Sequence, residues 1–82
     1  MNIYVGNLSF DVNDEEMRQA FEQFGEVSSA KVITDRYTGK SRGFGFVEMP
    51  DDGQGQSAID GMNGQELKGR AVNVTMARSK NS

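Results

Sequence analysis

The 82-residue chain reads as an α+β domain with elements in the order β-α-β-β-α-β, a four-stranded antiparallel sheet carrying two helices on one face. Three observations carry that reading. Ile3 to Leu8 and Lys40 to Met49 alternate with period two, and both put aliphatic side chains on one side and aromatics on the other. Two acidic segments, each opened by Asn or Asp, repeat apolar residues at helical spacing. The length then limits the whole to one modest core, because a domain of this size buries only about 60% of its unfolded surface.

In the first strand Ile3, Val5 and Leu8 point inward and Tyr4 stands alone on the other face. In the third, Phe44, Phe46 and Glu48 share one face, and Gly43, Gly45, Val47 and Met49 share the other. Aromatics normally supply the core, so Gly-Phe-Gly-Phe taken alone reads as core with Val47 outward. Two strands segregated in the same way instead specify an aromatic sheet face turned to solvent. Gly43 and Gly45 leave room for a helix to approach closely behind it.

Asn7-Leu8-Ser9-Phe10 is a loop leading to the first helix. Asn13 is the N-cap, Glu16 completes a capping box, and Asp14 and Glu15 complement the helix dipole. Met17, Ala20, Phe21 and Phe24 form one apolar stripe, which is core, and Gly25 supplies a left-handed stop. Val27 to Thr34 is the second strand, with Ala30 and Val32 inward and Lys31 and Ile33 outward. The turn from Asp35 to Ser41 carries Gly39; Tyr37 there either stacks on a ligand or simply stands exposed.

Pro50 ends the third strand, and Asp51 and Asp52 open the second helix. Its stripe of Ala58, Ile59 and Met62 is thin. Gly53, Gly55 and Gly61 each weaken it by roughly 0.8 to 1 kcal/mol relative to alanine, which makes it the element expected to be least protected. Asn63-Gly64 closes it. Arg70 to Ala77 is the last strand, with Val72 and Val74 inward and Asn73 and Thr75 outward.

Composition removes several chemistries. There is no cysteine and no histidine, hence no disulfide, no thiolate metal site and none of the commonest general base. No apolar run approaches the roughly 18 residues of a membrane span, and Met1 adjoins a strand without a leader pattern, so a soluble cytoplasmic protein is expected. The net charge is −3, yet it is unevenly spread. Asp11 to Glu26 and Glu48 to Glu66 each carry −5, whereas Lys31 to Arg42 carries +3 and Lys68 to Lys80 carries +4. Acid collects in the helices and base in the strands and tail, so one face can be positive on an acidic molecule.

Short motifs for other ligands fail on context. Gly39-Lys40-Ser41 would need a glycine at position 34 to end a phosphate-binding loop, and Thr34 stands there. Gly43-x-Gly45 lacks a third glycine and lies within a strand. Gly61-Met62-Asn63-Gly64 matches a KH-type loop but sits at a helix end, where glycine caps. Asn7-Leu8-Ser9 and Asn73-Val74-Thr75 match glycosylation acceptors, which mean little without a secretory signal.

Ile3 to Leu8 and Arg42 to Met49 together resemble the ribonucleoprotein hexapeptide and octapeptide of the RNA recognition motif family. Seven of the eight octapeptide positions fit; Met49 stands where the pattern has Phe or Tyr, on the inward face. The likeness runs from Asn2 to about Arg78, which implies a ferredoxin-like split β-α-β fold for a single domain over 1–78 with a short basic tail at 79–82. It further implies non-catalytic binding of single-stranded RNA, with single-stranded DNA as the alternative ligand. By position, Tyr4 and Phe44 would stack on bases and Phe46 on sugar. Arg42 would meet a phosphate, and Lys31, Asn73 and Thr75 would reach base edges, with Lys40, Arg78 and Lys80 adding charge. No cofactor, metal or membrane is implied, and a monomer is expected. The family usually has a small apolar residue at Gly55, so looser helix docking is expected there. A protein-interaction module of the same fold would predict lost platform aromatics. An enzyme would need catalytic groups that are scarce here.

Overall fold

A computed structural model describes residues 1–77; Arg78 and Lys80 lie outside them. The strands are β1 (Asn2–Gly6), β2 (Ser29–Thr34), β3 (Ser41–Glu48), β4 (Glu66–Leu67), β5 (Arg70–Ala71) and β6 (Asn73–Met76), and the helices are α1 (Asp14–Glu22) and α2 (Asp52–Met62). The main sheet is antiparallel with order β2-β3-β1-β6, so β1 and β3 are central, as the motif reading requires. Alternation sorts its side chains as expected. Ile3, Val5, Val32, Val47, Val72 and Val74 are buried, and they meet Met17 and Phe21 from α1 and Ala58 and Met62 from α2. Met49, the departure from the octapeptide, is fully buried in the same cluster.

The start of α1 is set locally. Asn13 Oδ1 accepts the Glu16 N–H at 2.8 Å, and Glu16 Oε1 accepts the Asn13 N–H at 3.1 Å. Its end differs from the expectation, because Gly25 is not a left-handed stop. The helix closes at Gln23, Phe24 and Gly25 donate to Phe21 and Glu22 carbonyls, and Gly25 has a φ of +157°, close to extended. The glycine serves that φ, which side chains rarely adopt, and it also leaves space. The side chain of Gln54 from α2 fills the place of a Cβ at Gly25, and its Oε1 accepts the Glu26 N–H at 3.1 Å. Two glycines of α2 act in the same way. The Phe24 ring lies against Gly61, and Met1 packs on buried Gly55. Gly55 is therefore a point of close approach rather than of loose docking, and the thin apolar stripe is made up by neighbours seated on bare backbone.

The last strand also departs from expectation. The segment from Arg70 to Ala77 breaks at Val72, which turns back so that its N–H donates to Gln65 O and its carbonyl accepts from Gly64. Ahead of it β4 and β5 pair as a small hairpin, with Lys68 and Gly69 at φ +53° and +88°, the two positive values of a tight primed turn. Both edges of the main sheet are capped by helix-end side chains. Asp14 Oδ1 accepts the Val32 N–H of β2 at 2.7 Å, and Asn63 Oδ1 accepts the Val74 N–H of β6 at 3.0 Å. Such capping blunts the tendency of free edges to recruit other strands. Among the described residues no helix is long and apolar enough to cross a membrane.

Candidate functional site

The strand register aligns four side chains in one row across the uncovered sheet face. Lys31 on β2 is opposite Phe46 on β3, Phe46 is opposite Tyr4 on β1, and Tyr4 is opposite Thr75 on β6. Phe44 lies two residues along β3 from Phe46, and the three rings form a cluster. Their centroids are 5.9 Å apart for Tyr4–Phe44, 5.7 Å for Tyr4–Phe46 and 6.2 Å for Phe44–Phe46. Phe46 remains 40% exposed, while Tyr4 and Phe44 are half-buried. All three rings stand on the uncovered face, where they partly shield one another. Gly6 makes the cluster possible. The Tyr4 ring lies over it, within 2.8 Å of where a Cβ would stand. Asn73 is opposite Gly6 and is exposed, as is Thr75.

Arg42 is exposed but stands off this row. The β2/β3 register shifts between Val32 and Thr34, and Gly43 takes φ +84°, so the strand twists just before the rings. The space beside Gly43 is taken by the Phe10 ring rather than by a helix; only Gly45 is backed by one, through Met17 of α1. Arg42 faces the β2–β3 turn. There Asp35 is held below the usual carboxylate range, first by the Tyr37 and Thr38 N–H groups at 2.7 and 3.1 Å and then by the charge of Arg42. Lys40 is exposed in the same turn, and the Arg36 guanidinium lies 6.0 Å from the ring of exposed Tyr37.

Ion pairing separates the cations into two groups. Arg18 pairs with Glu22 at 3.4 Å, and Lys68 pairs with Glu16 at 2.6 Å. The second contact pulls Glu16 below its usual value, helped by the Asn13 N–H, and raises Lys68. Lys31, Arg36, Lys40, Arg42 and Arg70 take part in no ion pair among the described residues. Glu48 sits at the other end of β3, opposite Asn2 and Ser29. An open groove of about 480 Å³ lies between the start of α1 and the β2–β3 turn, but Asp11, Asp14 and Glu15 line it, which suits no phosphate.

Three features escaped the sequence reading. Phe10, 69% exposed, packs beside Gly43 and lines the groove at the start of α1; a large ring in a polar loop was the available signal. Gly6 needed the Tyr4 rotamer to be noticed. Arg70, read as an ordinary strand residue, is held by Asn7 at 2.6 Å, a contact 63 residues apart in sequence.

Comparison with known proteins agrees with this geometry. The family model described as RNA recognition motif matches residues 3–73. A glycine-rich RNA-binding protein of Daucus carota is 52% identical over 79 residues, covering 96% of this chain and 50% of that protein. Glycine-rich RNA-binding protein 2, mitochondrial, of Arabidopsis thaliana is 48% identical over 80 residues, covering 98% and 51%. This chain therefore spans about half the length of those relatives. The crystal structure of RNA binding protein PG1 superposes with a TM-score of 0.93 at 50% identity, covering 98% of this chain and 96% of that one. A two-layer fold with the aromatic row on its uncovered face and a match over residues 3–73 agree on one assignment: the chain belongs to the RNA recognition motif family.

Proposed function

We propose that this chain binds single-stranded RNA, without catalysis, by laying bases on the ring cluster and backbone on the cationic strand ends. The observation that carries the reading is the cluster of Tyr4, Phe44 and Phe46 on an uncovered sheet face with Lys31 in the same row. Unpaired bases stack on aromatic faces, whereas a duplex hides them. Tyr4 and Phe44 each take a base, and Phe46 packs on the sugar between them. Lys31, Asn73 and Thr75 meet base edges, Arg42 and Lys40 take phosphates, and Arg78 and Lys80 add charge. The binding unit is residues 1–78, working as a cytoplasmic monomer with 79–82 as a basic tail. Stacking is worth about 1 to 3 kcal/mol per base, so two to four nucleotides bound with modest affinity and low sequence preference are expected.

The test is Tyr4→Ala combined with Phe44→Ala, titrated with short labelled RNA and DNA oligonucleotides. A loss of roughly 2 to 6 kcal/mol is expected if the two stacks add, and less to the extent that the touching rings are coupled. Far-UV circular dichroism should stay near parental. Parental affinity in the double variant would reject the platform, and tighter binding of the DNA series would reassign the ligand.

A further inference from the structure

The β1–α1 turn and the β4/β5 hairpin meet at Asn7, which has a left-handed φ of +57°, a conformation uncommon for residues other than glycine. Its side-chain amide is engaged at both ends. Nδ2 donates to Ala71 O at 2.7 Å, and Oδ1 accepts from the Arg70 guanidinium at 2.6 Å. A flipped amide would set its donors against the guanidinium, so the two contacts fix one orientation.

What holds Arg70 is therefore neutral. Lys68, two residues earlier in the hairpin, is matched with a carboxylate at 2.6 Å, but exposed Arg70 has no ion-pair partner among the described residues. An aspartate tolerates the same backbone conformation and would have cancelled the charge. An amide orients the guanidinium and leaves that charge intact. Guanidinium carries five N–H donors in a planar fork, suited to the paired oxygens of a phosphate, and those not given to Asn7 remain for a ligand. The place is significant as well. Asn7 directly follows Gly6, which underlies the Tyr4 ring and pairs with Asn73, so Arg70 is anchored one residue past the aromatic platform.

We propose that Asn7 is a positioning residue that holds Arg70 as a pre-set phosphate site at the β1–β6 end of the platform. The site grips the backbone of the strand whose bases lie on Tyr4 and Phe44, and the inference rests on the RNA-binding reading above.

The experiment measures anisotropy of labelled homopolymeric RNA octamers from about 0.05 to 1 M salt, with parental protein, Arg70→Gln, Arg70→Lys, Asn7→Gly, the Asn7→Gly/Arg70→Gln double and the Tyr4→Ala/Phe44→Ala control. Glycine keeps the backbone conformation of Asn7 while removing the amide. Loss of one single-strand phosphate contact should lower the log-log salt slope of Arg70→Gln by about 0.7, a roughly fivefold weakening at 0.1 M that fades toward 1 M. Asn7→Gly should weaken binding less, and the double variant should bind no worse than Arg70→Gln. Arg70→Lys should keep the parental slope and lose part of the affinity, which preserves the test should the glutamine variant misfold. Parental affinity and slope in Arg70→Gln, with binding lost in the ring control, would overturn the phosphate site and leave the platform standing. Fully additive losses in the double variant would overturn the positioning role. Unchanged binding by the ring control would reject the platform and this site together.

Discussion

Single carboxylates tie down the turns that flank the rings. Asp35 accepts two N–H bonds within the β2–β3 turn and feels Arg42, so its pKa falls below the usual 3.8. A lowered carboxylate stabilises the fold above its unfolded value, and that contribution disappears as pH falls through the lower folded value. Glu16 obeys the same sign below 4.5, its first cause being the bond from Lys68. Lys68, raised above 10.5 by Glu16, stabilises below that value and ceases to do so as pH climbs through the higher folded one. Both ties should hold throughout the neutral range. Acidification below pH 3.8 should lower the amide protection factors of Tyr37 and Thr38 as the Asp35 carboxyl protonates, while those of core amides in β1 and β3 stay high. A carbon-detected titration that placed Asp35 at or above 3.8 would contradict the turn geometry.

At the scale of elements, the glycines of α2 separate intrinsic propensity from packing. Propensity alone makes each glycine worth about 0.8 to 1 kcal/mol to replace with alanine. At Gly61 the added carbon would stand 2.5 Å from the Phe24 ring, well inside van der Waals contact, and overpacking costs about 1 to 3 kcal/mol. Gly61→Ala should therefore destabilise by roughly 1 kcal/mol, whereas Gly53→Ala, whose new carbon meets only the Asp51 carboxylate at 3.2 Å, should be neutral or stabilising by up to about 1 kcal/mol. Urea unfolding of the two variants decides the matter, and a stabilised Gly61→Ala would show that Phe24 yields freely. The same contrast explains what was legible in the chain. The Asn13–Glu16 cap and the inward or outward sense of Tyr4, Phe44, Phe46 and Lys31 depend on neighbours a few residues away, so local spacing reveals them. The β4/β5 hairpin has two residues per strand and no apolar alternation, so it left only Lys68-Gly69 as a weak turn signal. That Lys31, Phe46, Tyr4 and Thr75 fall in one row depends on register between distant strands, and the Asn7–Arg70 contact depends on where that hairpin lands.

For the whole molecule, antiparallel pairing gathers the cations that lack ion-pair partners at one end of the sheet. The Gly6 end of β1, the Thr34 end of β2, the Ser41 end of β3 and the Asn73 end of β6 lie together. Arg36, Lys40, Arg42 and Arg70 gather there without ion-pair partners among the described residues, and Lys31 adds a fifth cation along β2. Glu48 lies at the opposite end of β3, while Asp11, Asp14 and Glu15 share the cationic end but line the groove between α1 and the β2–β3 turn, so a net charge of −3 coexists with unpaired cations beside the rings. Local unpaired cations of this kind can hold a polyanion that the average charge would repel. If four or five of these cations meet phosphates, the log-log dependence of RNA affinity on salt should have a slope near −3, at about 0.7 per contact on a single strand. Raising salt fourfold, from about 50 to 200 mM, should then weaken binding roughly 60-fold. Stacking on Tyr4 and Phe44 carries no counterions, so the ring variants should lose affinity at every salt concentration while keeping that slope. A parental slope near zero would mean that the rings act alone and that the rim is ordinary solvated charge.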